Sequence, residues 1–313
     1  VVLQARDPRK WRPHPGAAAH RGGHRGRRQY GGRHVCRTRP ELIIWRSTPI
    51  RLSSPSPNAA RYATCHYQRH GQGRTARRTR RARPEFGFLG EEGGTQAEGD
   101  SVHRWIVDPL DGTTNFLHGL PQFAVSIALE ERGQIVAGIV YNTLTDELFW
   151  AERGTGAFLN DARLRVSARQ HMSESLIATG MPFLGHGDHE RYLETLKAVM
   201  GEVAGVRRYG SAALDLAYLA AGRFDGFWEF DLKIWDIAAG ILIVREAGGF
   251  VSDISGRDSV LKTGEVVAGN DKIQEKLRKI LREAVVDFAN VTVCSHPQQG
   301  RLGLGGKITG WAI

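Results

Sequence analysis

Trp105-Ile106-Val107-Asp108-Pro109-Leu110-Asp111-Gly112-Thr113-Thr114-Asn115-Phe116 sets two carboxylates at the end of an apolar run and follows them at once with a glycine-threonine turn. Residues 105–107 read as a short strand. Pro109 cannot donate to a ladder, so pairing is expected to stop there and the chain to turn away, which pins Asp108 and Asp111 to the rim. With the turn carbonyl of Leu110 they form a hard, all-oxygen donor set that suits magnesium or manganese rather than zinc. Gly112, Thr113 and Thr114 then present backbone N–H groups where a helix or turn begins, a geometry that favours phosphate.

Downstream, residues 123–131 and 134–142 read as strands joined across Arg132-Gly133, and residues 147–153, 157–159 and 164–167 continue as short strands. This is a largely antiparallel meander. After about residue 170 strands alternate with helices: strands at 176–179, 206–209, 224–229, 250–252 and 266–268, helices at 189–203, 212–221 and 236–247. Such alternation implies helices packed on a sheet. Asp271 is expected to cap a last helix with the apolar stripe Ile273, Leu277, Ile280, Leu281 and Ala284, and beyond Val285 the pattern weakens into a Gly-rich tail.

The formal charge of +10 is unevenly spread. Residues 1–84 hold 20 Arg and one Lys against Asp7 and Glu41, a net +19, while residues 85–313 hold 22 bases against 31 acids, a net −9. The basic arm shows no sustained period and is broken by Pro, Gly, Ser and Arg clusters, so it is read as unable to fold alone. An arginine arm for nucleic acid, a targeting presequence and a stretch translated out of frame are the competing explanations. The last is preferred, because the chain opens on Val1, carries no acid between Glu41 and Glu85, and changes grammar abruptly near Pro84. The division expected is therefore 1–84 atypical arm, 85–170 metal-site half, 171–284 α/β half and 285–313 tail.

Three cysteines without a Cys-x-x-Cys pair argue against structural zinc and a disulfide framework. No apolar stretch spans a bilayer, so the reading is a soluble, cytoplasmic protein without a membrane partner. No Gly-x-Ser-x-Gly elbow occurs, and Gly303 to Ile308 fits a P-loop poorly, because Ile308 stands where a hydroxyl should meet magnesium.

Two further segments share the chemistry of the central motif. Leu89-Gly90-Glu91-Glu92-Gly93-Gly94 places two glutamates in a glycine-rich turn, and Trp235-Asp236-Ile237-Ala238-Ala239-Gly240 puts an aspartate at the first position of a helix. Taken alone, the first pair reads as solvated and Asp236 as a plain N-cap. Together with Gly210-Ser211-Ala212-Ala213-Leu214-Asp215, Phe227-Trp228-Glu229 and Glu246-Ala247-Gly248-Gly249, in this order and spacing, the chain resembles the inositol monophosphatases, magnesium-dependent and lithium-sensitive phosphatases, over about residues 81–284.

That resemblance implies an α+β fold, a layered αβαβα sandwich, and usually a homodimer. It implies Glu91, Asp108 and the Leu110 carbonyl as ligands of one metal, and Asp108, Asp111 and Asp236 of a second. Water oriented by Thr113 and Glu91 would attack phosphorus without a covalent enzyme intermediate, while Gly112 and Thr113 N–H groups take phosphate oxygens. Glu229 would bind a ring hydroxyl of inositol, and Ala212 would line the same pocket. Lithium would inhibit.

Bland rivals stand beside these roles. Thr113 has the alternative of capping its turn, Glu229 of pairing with Lys233 or Arg223, and Glu92 of simple solvation; the loop histidines His118, His171, His186 and His189 are assigned nothing. The substrate expected is myo-inositol 1-phosphate or a related polyol phosphate, with histidinol phosphate, fructose 1,6-bisphosphate and nucleotide 3′-phosphates as rivals. A non-catalytic protein binding nucleic acid through the arm is the other class, ranked lower because the arm's aromatics are few and irregular. The family's N-terminal helices and Thr-x-x-Asp element are not matched, so the chain is expected to expose apolar sheet and to be less stable and less active than one with a family-like N-terminus.

Overall fold

The computed structural model describes residue 81 and residues 83–91, 102–183 and 185–294. The expectations for the basic arm, its helical layer and the far tail lie outside these residues, as does Glu92. A seven-stranded sheet runs in spatial order β1 (Gly87–Gly90), β2 (His103–Asp111), β3 (Ala124–Glu131), β4 (Gln134–Asn142), β5 (Glu147–Glu152), β6 (Gly156–Leu159) and β7 (Ala162–Arg163). Only the β1–β2 pair is parallel. The tight β3–β4 turn follows from Arg132 and Gly133, both at positive φ (49° and 78°), the conformation that matches strand twist in two-residue hairpins.

The second sheet holds β8 (Leu176–Thr179), β9 (Gly205–Arg207), β10 (Gly226–Glu229), β11 (Phe250–Ser252) and β12 (Val266–Gly269) in the order β11-β12-β10-β8-β9. Here β10, β8 and β9 are mutually parallel and β12 antiparallel to both its neighbours. Six α-helices follow among the described residues, α1 (Thr113–Leu117), α2 (His189–Met200), α3 (Ala212–Ala220), α4 (Ile234–Glu246), α5 (Val260–Thr263) and α6 (Asp271–Cys294), with a short 3-10 helix at Met172–Glu174.

Helices α3 and α4 pack against each other between the two sheets. They are apolar nearly all round, as helices buried on every side must be, and Leu214, Leu216, Ile237 and Ile243 join Ile106, Val140 and Phe149 of the first sheet with Phe227 and Ala268 of the second. Gly138 of β4 lets α4 come close, since a Cβ there would lie 3.0 Å from Ala239 Cα. Helices α2 and α6 cover the other face of the second sheet, with Ile273, Leu277 and Leu281 on Ile177, Trp228 and Val267. The result is the sheet–helix–sheet–helix part of the layered α+β sandwich. On the first sheet's far face Phe88, Val107 and Ile127 form a buried cluster, so the expected bare apolar surface is not found at these residues.

Several local expectations are corrected. Pro109 does not end β2, which pairs on to Asp111. Residues 164–167 are not a strand: the short edge strand is Ala162–Arg163, and Val166 N–H donates instead to Ala247 O (3.2 Å) in the turn after α4. Asp271 is not the cap of α6; the side-chain oxygen of Asn270 accepts from Lys272 and Ile273 N–H (3.1 and 2.9 Å). That helix also continues to Cys294, nine residues beyond Val285. Among the described residues no helix is long and apolar enough to cross a membrane.

Candidate metal centre

The decisive detail of β2 is a bulge. Asp108 lies opposite Ser126 and Asp111 opposite Ala124, so three steps along β2 match two along β3. In a regular strand residues three apart point to opposite faces; the extra residue restores parity, and both aspartates face the same side. That side is the one toward the middle helices, since Ser126 Oγ bonds Trp235 O (3.2 Å) at the start of α4. Pro109 fits within a bulge, where no ladder donor is required.

Asp236 comes to meet the pair. It is the third residue of α4, not the first as expected, and its carboxylate accepts from Lys233 N–H (2.8 Å), which fixes the helix entry. Oxygens of Asp108, Asp111 and Asp236 lie within 4.8 Å of one another. Glu91 follows β1, which runs parallel beside β2; its N–H donates to Val107 O (3.3 Å), and its charge acts on both Asp108 and Asp236. Leu110 N–H donates to Asp108 Oδ1 (2.8 Å), and Leu110 O accepts from Thr113 Oγ1 (3.0 Å).

Gly112 turns the chain from β2 into α1 at φ 87°, and a Cβ there would lie 2.7 Å from Gln122 O. Both the conformation and the space therefore demand glycine. Asn115 clamps the same corner from inside, donating to Gln122 O and Tyr209 O (both 2.7 Å). The Tyr209 contact ties α1 to the loop before α3. Ser211 then caps α3 and donates to Asp111 Oδ2 (2.5 Å), which also accepts from Ala213 N–H (2.8 Å). Asp111 thus sits on the N-terminal end of α3, beside Ala212, where the helix dipole favours its negative charge.

These carboxyls crowd one another. Burial pushes Asp108 well above the usual range, with Asp111, Glu91 and Asp236 adding to it in that order. Asp111 is raised to about 6 by burial, restrained by its Ser211 and Ala213 hydrogen bonds, and Asp236 to about 7 by burial and Asp111. Glu229 ends β10 beside the cluster and is raised to about 8 by burial, then Asp111 and Asp236. Neither rival partner takes it by hydrogen bond or ion pair: Arg223 pairs with Glu147 (3.1 Å), and Lys233 is exposed. Buried anions that repel one another, all-oxygen and backed by oriented dipoles, fit a hard divalent cation.

All the described candidates, Glu91, Asp108, Leu110, Asp111, Gly112, Thr113, Ala212, Glu229 and Asp236, therefore converge on one end of β2 and the adjoining ends of α3 and α4. Sequence reading missed Ser211 as the hydroxyl that holds Asp111. The Gly-Ser step before an apolar helix marks a cap, but nothing local indicates a carboxylate partner 100 residues away.

Known proteins resemble this chain in sequence and fold. Residues 66–286 match the inositol monophosphatase family. The inositol-1-monophosphatase of Rhizobium meliloti (strain 1021) is 60% identical over 205 residues, covering 66% of this chain and 77% of the relative. The putative Nus factor SuhB of Neisseria meningitidis serogroup B is 48% identical over 200 residues, covering 64% and 77%. Among solved structures, the extragenic suppressor protein suhB from Bartonella henselae superposes with TM-score 0.67 at 58% identity over 69% of this chain and 83% of that one. With the fold, the carboxylate cluster and these matches in agreement, the chain belongs to the inositol monophosphatase family.

Proposed function

We propose that the chain hydrolyses the phosphate monoester of a polyol, with myo-inositol 1-phosphate the substrate of choice. The observation that carries this is the meeting of Asp108, Asp111 and Asp236 on one side of a bulged strand next to the Gly112–Thr113 turn. Magnesium, or manganese, would be held by Glu91, Asp108, Leu110 O, Asp111 and Asp236; when bound it supplies Lewis acidity toward a phosphoryl oxygen and toward water.

The protein's own groups do the rest. Gly112 and Thr113 N–H groups, at the start of α1, receive phosphate oxygens. Thr113 Oγ1 spends its proton on Leu110 O, so toward an attacking water it acts as acceptor and, with Glu91, aims a lone pair at phosphorus. Glu229 and the Ala212 end of α3 receive the leaving polyol. No side chain is needed as nucleophile. A homodimer and inhibition by lithium belong to the same proposal.

The test is magnesium-dependent phosphate release from inositol 1-phosphate, with Asp108→Asn as the blank and lithium in a parallel sample. Turnover that needs magnesium, falls with lithium and vanishes in the blank supports the reading. Release indifferent to magnesium refutes it. A second reading draws on the net +19 of residues 1–84 and on relatives named Nus factor SuhB: the arm binds RNA through phosphate contacts. Its affinity would then fall steeply with salt, and a salt-independent affinity rejects it.

A further inference from the structure

The register between β8 and β10 sets a glycine against a carboxylate. The two strands run parallel with Ala178 opposite Phe227 and Thr179 opposite Trp228, so one step further on Gly180 stands beside Glu229. Thr179 closes β8 and Glu229 closes β10, and the two strand ends arrive together at the leaving-group side of the site. A Cβ built on Gly180 would fall inside the Glu229 carboxyl, overlapping its Cδ and both oxygens. Gly180 is buried, yet it is not among the glycines at positive φ. Its backbone conformation suits any residue, and only the space forbids one. At Gly112, by contrast, conformation and space both demand glycine.

That contact decides how Glu229 is held. Among the described residues no group hydrogen-bonds or ion-pairs with its carboxyl, so packing rather than a donor sets its direction. The surface it packs on is the bare backbone of Gly180. Gly180 O accepts from Thr179 Oγ1 (3.0 Å), and Thr179 is itself 1% exposed, so the wall is backed by close-packed protein and has no room to retreat.

We propose that residue 180 determines leaving-group specificity: the missing side chain of Gly180 is the seat on which the Glu229 carboxylate rests, and any side chain there turns that carboxylate away from the hydroxyls of the leaving group. The inference rests on the polyol-phosphate reading above and deepens it, because it names the position that selects a polyhydroxylated leaving group over a plain aryl one. Gly180 is a positioning residue and touches no reacting atom.

The experiment measures kcat/KM for inositol 1-phosphate and for phenyl phosphate, whose leaving group carries no free hydroxyl, in the magnesium-loaded wild type, Gly180→Ala, Glu229→Ala and the double variant. Glu229→Ala lowers the ratio of the two about tenfold, the worth of one hydrogen bond to a charged group. Gly180→Ala lowers it by about the same factor through KM for the polyol ester, and the double variant goes no lower, since the added methyl has nothing to displace once the carboxyl is gone. Thermal unfolding is the second readout: Gly180→Ala melts below wild type, and the double variant melts above Gly180→Ala. If Gly180→Ala does not fold, the double variant decides, folding with the ratio of Glu229→Ala; a double variant that also fails to fold overturns the seat. A ratio unchanged in Gly180→Ala while Glu229→Ala lowers it overturns the inference, as does a parallel loss on both esters. A ratio unchanged in Glu229→Ala overturns the polyol role of Glu229 itself, and this inference with it.

Discussion

Asp108 is 2% exposed and has three carboxylates for neighbours, so its charge is costly unless a proton or a cation offsets it. Replacing it with Asn removes a ligand and a repulsion together, and the two consequences have opposite signs. Phosphate release should fall by more than about a hundredfold, since even the partners that merely orient ligands are worth ~10–100-fold. The metal-free protein should unfold at a higher temperature near pH 8, because one buried anion is gone. Calorimetry without metal and turnover with magnesium read the two effects separately; a variant less stable than wild type in the metal-free state would contradict the account. Gly112 makes the opposite case, a residue chosen for what it lacks. Gly112→Ala forces a Cβ to 2.7 Å from Gln122 O at φ 87°, which should cost about 1–3 kcal/mol in urea unfolding and displace Thr113 from Leu110 O.

At the level of elements, the site exists because one strand end and two helix ends arrive together. Helix α3 contributes through its cap: Ser211→Ala should cost about 1 kcal/mol for the cap and weaken magnesium binding about tenfold by loosening Asp111. Titration calorimetry checks the second figure, and unchanged affinity would show that Ala213 N–H alone holds the carboxylate. Legibility in the sequence follows the same geometry. Residues 134–142 and 176–179 were readable to the residue because uninterrupted apolar runs there fill strands packed on both faces. Residues 164–167 were not: Leu164 is buried and Val166 partly so, from an irregular segment, and burial without a ladder mimics a strand. The carboxylate motif was legible as chemistry yet not as geometry. Proline at 109 signals interruption, and whether the interruption ends a strand or bulges it depends on whether β3 continues alongside, which is information held 15 residues away.

Across the molecule, the cluster draws Asp108 and Asp111 from the first sheet, Asp236 from the helix layer and Glu229 from the second sheet, so its charge state enters the stability of the whole fold. Unfolded carboxyls titrate near ~4, whereas Asp111, Asp236 and Glu229 titrate at about 6, 7 and 8 in the metal-free fold. For acids raised on folding, the native state binds the extra protons, so the stability they contribute is complete below the unfolded value and is lost as pH rises through 6 to 8. The metal-free protein should therefore show a Tm that declines between pH 5.5 and pH 8.5. Bound at Asp111 and Asp236, magnesium would compete with their protons for the same oxygens, so its stabilising effect should be small at pH 5.5 and large at pH 8.5. A concentration a hundredfold above Kd adds about 2.7 kcal/mol, which offsets part of the decline. Thermal unfolding with magnesium chloride against sodium chloride of equal ionic strength separates coordination from screening. A pH-independent gain from magnesium, or an equal gain from sodium, would mean that the carboxylates are not the site at which the cation and the proton exchange.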